Sequence, residues 1–354
     1  MLVGASLSLS GRFQRQGEAA RDGLGLWVDR ARAAGGAAPR LIALDDRSRS
    51  RLAQEHVARL LAEERVDVLA GPYSSGLVLA VAPIAAVAGA PLWNHGGASD
   101  AIVQTGGRHV VSVLSPASDY LRDLPGWLRR RASRATRIAI LRARVGTFAE
   151  QVARGAAEGA RTAGFGDIRV TQFESPLPDA SPILREAAAA EPDLVVGVGA
   201  FPDDVAIARQ RALLPGGTVL ALVGAGLAAF GEEVGRLAEG IVGPSQWEPT
   251  PAPTPQLGPD SAWFVTAFEQ AFRRAPEYPA AQAFALGLIV EECRRRSGGS
   301  LAGSALLEAA HALDTTTLYG GFRLDSATGR QIGHRVRLVQ WRNGRKHVLD
   351  EPGA

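Results

Sequence analysis

Two short segments carry residue types that could bind an anion. The sequence GPYSSG places Ser74 and Ser75 directly before a predicted helix, where free backbone N–H groups and the positive end of the helix dipole favour a carboxylate. The sequence NHGGAS contains Gly96 and Gly97, whose missing side chains let a ligand approach backbone amides closely. Plain N-capping of the following helix is the alternative role for the two serines.

Catalytic chemistry fits these segments less well. Ser75, His95 and Asp100 supply the residue types of a hydrolytic triad, but GPYSSG lacks the G-x-S-x-G spacing of a nucleophile elbow. The G-x-G at 197–199 lacks the third glycine and the later acid of a dinucleotide site, and the lone Lys346 excludes a lysine-dependent phosphate loop. His95 has no second ligand at metal spacing, so we expect neither a metal nor a cofactor.

Composition indicates a folded protein of two domains. The chain has 354 residues, 46% of them hydrophobic and 21% charged, with a net charge of +3. Almost all basic residues are scattered arginines without a coherent stripe, so nucleic acid is not expected as a partner. The single Cys293 excludes an internal disulfide and is predicted to be a small buried hydrophobe in a helix.

Short apolar runs alternate with amphipathic segments along most of the chain, which predicts parallel sheets covered on both faces by helices. The predicted strands are 2–9, 41–44, 66–70, 91–93, 110–114, 138–141, 168–170, 194–198 and 219–223. They form two series, one ending near Leu114 and one running from Ile138 to about Val242. In such sheets ligands bind outside the carboxyl ends of the strands.

The last third of the chain has a different character. The proline-rich segment 248–255 reads as a stiff crossing segment. It precedes predicted helices at 260–274, 280–296 and 301–313. Strand-like sequence follows at 315–325 and 332–341, and Asn343-Gly344 predicts a tight turn in a final hairpin.

At the predicted strand ends the chain resembles the type I periplasmic binding proteins of the branched-chain amino acid (Leu/Ile/Val-binding) transporter class. The resemblance covers essentially the whole chain. It is carried by the order and spacing of LSG at 9–11, GPYSS at 71–75, PLWNHGGA at 91–98, GAFP at 199–202 and FRLD at 322–325. It implies an α/β fold of two doubly wound parallel-sheet lobes joined by three crossovers, with the ligand held between them. The implied lobes are 1–117 plus 250–324, and 118–249 plus 325–354.

The resemblance also implies roles for individual residues. Ser75 matches the carboxylate-binding serine, and Gly96 and Gly97 match two alanines that offer backbone contacts. Ala98 replaces a threonine, and Gln16 replaces a common tyrosine. The residues expected to contact the ligand are Gln16, Tyr73, Ser74, Ser75, His95, Gly96, Gly97, Ala98, Phe148, Phe201, Trp247 and Tyr278.

Aromatic residues among these candidates suit an apolar or aromatic ligand body. A position in the core is an equal alternative for Trp93 and Trp247. Gly226 stands where relatives that bind amino acids carry the acid that pairs with the ammonium group. Its absence favours a ligand other than a free α-amino acid, since Asp203 and Asp204 are expected to cap a helix.

The function that follows from the resemblance is the substrate-binding component of an ABC-type importer for an amino acid-like solute, an aromatic carboxylate or an amide. We expect a periplasmic or surface-anchored monomer that partners a permease of the inner membrane, with its export signal removed. The alternatives are a cytoplasmic ligand-sensing regulator similar to amide sensors and a hydrolase that uses Ser75 and His95. The class is expected not to be enzymatic.

Overall fold

The chain folds into two compact units. The computed structural model describes residues 1–35, 38–250 and 254–349. Unit 1 contains Met1–Pro116 and Trp247–Arg335, and unit 2 contains Ala117–Gln246 and the chain from Val336 onward. The chain therefore changes unit three times, the last time further along the chain than the predicted 324/325. The proline-rich segment begins just after the second change, but its residues 251–253 lie outside the described residues.

Strands and helices alternate through most of both units. The strands are β1 (Leu2–Leu7), β2 (Arg40–Asp45), β3 (Val68–Ala70), β4 (Leu92–Asn94), β5 (Val110–Ser112), β6 (Arg137–Ala143), β7 (Asp167–Phe173), β8 (Leu194–Val198), β9 (Val219–Leu222), β10 (Val242–Ser245), β11 (Asp314–Thr317), β12 (Gly320–Arg323), β13 (Arg337–Arg342) and β14 (Arg345–Val348). The helices are α1 (Gln14–Ala33), α2 (Ser50–Ala62), α3 (Ser75–Val87), α4 (Ala101–Gly106), α5 (Leu124–Arg131), α6 (Thr147–Thr162), α7 (Ser181–Ala188), α8 (Phe201–Arg209), α9 (Ala228–Val234), α10 (Ser261–Phe272), α11 (Tyr278–Arg296) and α12 (Gly303–His311).

Unit 1 is built on a five-stranded sheet in the order β2-β1-β3-β4-β5, with every pairing parallel. The sequences of these strands are continuously apolar because both faces of the sheet are covered. Leu60, Leu77 and Val81 of α2 and α3 pack with Leu69 and Leu92 of the sheet in one buried cluster. Helices α1 and α11 pack against each other, and β11 and β12 form a separate antiparallel pair.

Unit 2 is built on a seven-stranded sheet in the order β14-β13-β10-β9-β8-β6-β7. Its first five strands in the chain pair in parallel, whereas β13 and β14 add an antiparallel hairpin at one edge. The predicted turn at Asn343-Gly344 joins these two strands, and both residues have positive φ, 50° and 72°. Of the predicted strand 332–341, only the part from Arg337 onward is regular.

Other expectations from the sequence hold at the level of single elements. Cys293 is fully buried in α11, as predicted for a small hydrophobe. The strand at 194–198 has the predicted bounds, whereas β1 ends at Leu7, two residues before the end of the apolar run 2–9. Across the described ranges, no helix combines the length and hydrophobicity needed to cross a bilayer.

Candidate functional site

The loops that follow β3 and β4 lie side by side in unit 1. Both strands are parallel neighbours, so their carboxyl ends meet at the same edge of the sheet. The Gly71 N–H donates to the Trp93 carbonyl at 3.0 Å, and the Ser74 N–H donates to the Gly96 carbonyl at 3.1 Å. We call these two loops, residues 71–75 and 94–99, together with Tyr278, the unit 1 rim.

Ser74 and Ser75 have different roles in this rim. Ser74 is the N-cap of α3, and its hydroxyl accepts the Leu77 N–H at 3.4 Å. The Ser75 hydroxyl instead accepts the backbone N–H groups of Ala98, at 3.2 Å, and Ser99, at 2.9 Å. Both lone pairs of the Ser75 oxygen are thus used, so its hydrogen is the group that it can still offer.

The amides of Gly96 and Gly97 are occupied by a side chain that the sequence did not single out. Both N–H groups donate to Oδ1 of Asn94, at 3.1 and 2.8 Å. The Asn94 Nδ2 group in turn donates to the Gly97 carbonyl and to Ser112. A ligand that used these two amides would have to displace Asn94. An asparagine directly after a strand is the available signal, because such side chains commonly fold back on the following backbone.

The two glycines are required by close packing, Gly96 against the β3 loop and Gly97 against helices α3 and α4. A Cβ on Gly96 would lie 2.6 Å from Cα of Tyr73, and one on Gly97 would lie 2.7 Å from side-chain atoms of Val78 and Ile102. Neither distance is possible without a shift of the neighbouring atoms. Gly96 therefore allows the β4 loop to contact the β3 loop, and Gly97 allows it to pack on α3 and α4, in addition to any role in ligand approach.

Tyr73 and Tyr278 form a hydroxyl pair with an O···O distance of 2.6 Å. Burial raises the pKa of Tyr73 to about 12, against the opposing effect of the bond to Tyr278, although the residue retains partial exposure. The ring of Phe13 lies 5.8 Å from that of Tyr73. Gln16 is partly exposed in the first turn of α1, and its side chain forms no hydrogen bond with the described residues.

The opening loop after β1 is held by two adjacent acids that the sequence analysis did not single out. Asp45 accepts the Leu9 and Ser10 N–H groups and the Ser10 hydroxyl, at 2.7–3.1 Å. Burial alone would raise the pKa of Asp45, but these bonds and the N–H of Arg47 lower it overall. Asp46 is fully buried and accepts the Ser8 hydroxyl at 2.6 Å. The loop is thus fixed by neutral donors.

His95 is fully buried, and neither ring nitrogen has a hydrogen-bond partner among the described residues. Burial lowers its pKa to about 4, so the imidazole is neutral at neutral pH. Ser75 is bonded to backbone amides and Asp100 pairs with Arg330 at 2.9 Å. The three residue types of a triad are therefore present without the serine–histidine and histidine–acid bonds that activate a nucleophile.

The two tryptophans considered as ligand contacts lie in the interior of unit 1. Trp93 is fully buried in β4. Trp247 is 4% exposed, its Nε1–H donates to the Leu318 carbonyl at 3.0 Å, and its ring meets that of Phe264 edge-on at 5.7 Å. Trp247 therefore offers little surface, and its predicted contact with a ligand stays a prediction.

In unit 2 an aromatic pair follows the end of β6. Phe148 is the second residue of α6, just after Gly146, and its ring meets Tyr120 edge-on at a centroid distance of 5.3 Å. Both residues are partly exposed. Phe148 is a predicted ligand contact and Tyr120 is not, because the only signal for Tyr120 in the sequence is its place shortly after the first change of unit.

Two adjacent acids follow Phe201 at the end of β8, and the expectation that both cap the helix is only half right. Asp203 accepts the Ala200 N–H at 2.8 Å and caps α8, and it also accepts the Ser175 hydroxyl and the Leu177 N–H. Asp204 instead reaches the loop after β9, where Oδ2 accepts the Gly224 N–H at 2.6 Å.

Position 226 has no room for a side chain. A Cβ on Gly226 would lie 1.8 Å from the carbonyl oxygen of Pro244 in β10. The glycine is therefore required by the close approach of the turn after β9 to the neighbouring strand. No carboxylate can stand at this position without a shift of the backbone.

A comparison of the sequence with known protein families agrees with this fold. The sequence matches the periplasmic binding protein family over residues 2–346, so this chain belongs to that family. The resemblance and the fold class predicted from the sequence are thereby confirmed.

Solved structures share the same fold. The leucine-binding protein LivK of Thermotoga maritima is 20% identical, with a TM-score of 0.85 and coverage of 99% of this chain and 98% of that one. LivJ of Streptococcus pneumoniae in complex with isoleucine is 18% identical, with a TM-score of 0.82 and 99% coverage of both chains. A solute-binding protein of R. palustris in complex with benzoate is 22% identical, with a TM-score of 0.79 and coverage of 98% and 95%. At such identities the likeness shows the fold alone.

Proposed function

We propose that this chain is the substrate-binding component of an ABC-type importer and binds a small organic carboxylate. The observation that carries the proposal is the Ser75 hydroxyl, held by the Ala98 and Ser99 amides at the carboxyl end of β3. This bonding leaves its hydrogen to donate, and a carboxylate is an acceptor that strengthens such a bond. The hydroxyl pair of Tyr73 and Tyr278 adds polar groups to the same rim.

The strand-end loops of unit 2 carry partly exposed aromatic rings. The aromatic pair of Tyr120 and Phe148 and the partly exposed Phe201 would pack on the body of the solute. A substrate-binding component of this kind delivers its solute to a permease, so the proposed partner is a permease of the inner membrane and the proposed location is the periplasm or cell surface.

The first experiment is a search for the solute. Native mass spectrometry of the purified chain would detect a co-purified ligand, and thermal unfolding with a panel of solutes would rank candidates. The panel should contain leucine, isoleucine, benzoate and hydroxybenzoates, short amides and urea. A solute present at 100 times its dissociation constant is expected to stabilise the protein by roughly 2.7 kcal/mol.

Substitution of Ser75 tests the carboxylate contact. Ser75→Ala is expected to weaken binding of the best carboxylate by about 10-fold to 100-fold, since hydrogen bonds to charged groups contribute about 1.5–3 kcal/mol. The matched control is Ser297→Ala, because Ser297 bonds only to backbone carbonyls at the end of α11. Unchanged affinity in Ser75→Ala, or a panel without any binding carboxylate, would contradict the proposal.

A further inference from the structure

Arginines are concentrated at the end of unit 2 where the strands of the sheet begin. Residues 129–137 read RRRASRATR and contain no acid. They extend from the last turn of α5 to Arg137, the first residue of β6. Arg161 lies in the last turn of α6, which precedes β7. Because β6 and β7 are parallel neighbours and Arg137 is in register with Asp167, both helix ends lie at the same edge of the sheet.

Direct contacts join these two helix ends. The Arg129 side chain donates to the Ala135 carbonyl at 2.9 Å, which holds the turn after α5 against the end of the helix. Nη2 of Arg129 is 3.9 Å from the place that a Cβ on Gly164 would take. The Gly164 N–H in turn donates to the Arg161 carbonyl at 3.0 Å. Five residues therefore form one arginine cluster: Arg129, Arg130, Arg131, Arg134 and Arg161.

Most of the arginine cluster faces solvent. Three of its members are exposed and form no hydrogen bond or ion pair with any residue that the structure describes: Arg130, Arg134 and Arg161. Arg131 is exposed as well, and its guanidinium carbon lies 4.4 Å from the centroid of the Trp127 ring, a contact that keeps its charge. The cluster thus presents several positive charges on one surface.

The acids of the same sheet edge are already engaged. Glu191 pairs with Arg137 at 3.1 Å, and Asp167 pairs with Arg169 at 3.0 Å. Asp193 accepts the backbone N–H of Arg137 at 2.9 Å. The negative ends of the α5 and α6 dipoles favour arginines nearby, but each carries only about half a charge. A net positive charge therefore remains on this surface.

The surface of the cluster is charged and not apolar. Across the described residues, none of the large exposed hydrophobic side chains falls within 129–137 or 161–166, and Trp127 is only 6% exposed. Protein interfaces are typically centred on aromatic or apolar side chains that become buried. An anionic bilayer, by contrast, attracts arginines by charge alone. Charge complementarity without an apolar centre therefore favours a bilayer as the partner.

We propose that the arginine cluster docks this chain on a membrane surface that contains anionic phospholipids, whose phosphate groups accept hydrogen bonds from guanidinium groups. The cluster lies at the opposite end of the sheet from Phe148 and Phe201, which follow the carboxyl ends of their strands. The inference is therefore independent of the proposed solute, and it adds the lipid surface as a second partner beside the proposed permease.

Co-sedimentation with lipid vesicles tests this inference. The intact chain should bind vesicles of phosphatidylcholine with phosphatidylglycerol and not those of phosphatidylcholine alone, and salt should weaken the binding. The combined substitution Arg130→Gln, Arg134→Gln and Arg161→Gln should weaken binding by at least about tenfold. The matched control substitutes the exposed Arg40, Arg49 and Arg65 of unit 1 by Gln. It removes the same three charges and should change binding by less than about twofold.

A single substitution guards against an effect on folding. Arg134→Glu changes one exposed side chain in the turn after α5 and should weaken vesicle binding by at least about fivefold, with an unchanged midpoint of thermal unfolding. Equal binding to both kinds of vesicle, or an equal loss in the cluster variant and its control, would overturn the inference. So would tighter binding to duplex RNA than to the anionic vesicles at equal phosphate concentration, because the cluster would then be a nucleic-acid surface.

Discussion

The strand-end loops of the two units differ in the side chains that they carry. In unit 1 the loops are held by a dense set of neutral hydrogen bonds around Ser75 and Asn94. In unit 2 the loops at the carboxyl ends of the strands carry aromatic rings and the buried Asp204, whose Oδ1 has no hydrogen-bond partner among the described residues. The backbone donors of the unit 1 rim are thus used within the protein, which leaves the hydroxyl groups of Ser75, Tyr73 and Tyr278, whereas the strand-end loops of unit 2 carry apolar surface.

His95 in unit 1 and Asp204 in unit 2 are buried titratable groups that each have an atom without a hydrogen-bond partner among the described residues. Burial lowers the pKa of His95 to about 4 and raises the pKa of Asp204, so the two respond to pH in opposite directions. Since one is a base and the other an acid, burial makes unit 1 sensitive to low pH and unit 2 sensitive to high pH. The two units therefore differ in the sign of the pH dependence that their buried groups predict.

The largest expected effect concerns Gly226 in the turn after β9, the position without the acid expected for an amino acid ligand. Gly226→Ala should lower the free energy of unfolding by about 3 kcal/mol or more, because the new Cβ would lie 1.8 Å from the Pro244 carbonyl oxygen. Chemical denaturation monitored by circular dichroism would measure the loss. The control is Gly216→Ala, where a Cβ meets nothing within 4 Å. A stable Gly226→Ala variant would mean that position 226 can accept a side chain. The missing acid at this position would then have no steric explanation.

The next effect concerns His95 and the pH dependence of stability. The folded state holds the pKa near 4, below the ordinary value of 6.5, so the unfolded chain binds more protons between these two values. Stability from this group is complete above pH 6.5 and falls as the pH is lowered to about 4. A difference of this size corresponds to about 3 kcal/mol.

Comparison of His95→Gln with the intact protein isolates this contribution. The variant should lose less stability than the intact protein between pH 7 and 4, as measured by urea unfolding at several pH values. His347→Gln, at an exposed position on β14, should retain the pH dependence of the intact protein. Parallel stability curves for His95→Gln and the intact protein would show that His95 finds a partner in solution.

The sequence was sufficient for the fold because hydrophobic runs and turn residues act locally. Continuous apolar runs gave strands such as residues 194–198, and Asn343-Gly344 gave the final hairpin. The site was only partly accessible to such reasoning. Ser75 was selected for a ligand, but its bonds to Ala98 and Ser99 depend on a tertiary contact between two loops. No local pattern distinguishes Asp203, which caps a helix, from Asp204, which does not.

The expectation that the solute is not a free α-amino acid shows the same limit. It was based on the missing acid at Gly226, and the close approach of Pro244 explains why that position is bare. The structure places a buried carboxyl group nearby, since Asp204 accepts the N–H of Gly224, two residues before Gly226. The expectation about the solute stays a prediction, and the panel of solutes tests it.

The third effect is a pH dependence with the opposite sign from that of His95. The folded state raises the pKa of Asp204, so it binds more protons than the unfolded chain at pH values above about 4, and stability falls as the pH rises towards the folded pKa. Each unit of that rise corresponds to about 1.4 kcal/mol. Without solute, Asp204→Asn should therefore gain stability over the intact protein as the pH increases from 4 to 8. A constant difference across this range would indicate that Oδ1 of Asp204 is solvated.

The smallest effect concerns the aromatic pair of unit 2. Phe148→Leu keeps an apolar side chain but removes the edge-on contact with Tyr120, which is worth about 0.5–1.5 kcal/mol beyond its buried area. If the pair packs on the solute, affinity should fall by about twofold to tenfold, and more for an aromatic solute than for an aliphatic one. Val145→Ala is the control, since Val145 is 80% exposed in the loop just before α6 and should leave affinity unchanged. An equal loss for aromatic and aliphatic solutes would assign Phe148 to the shape of the loop, because a ring that stacks on the solute must distinguish flat bodies from branched ones.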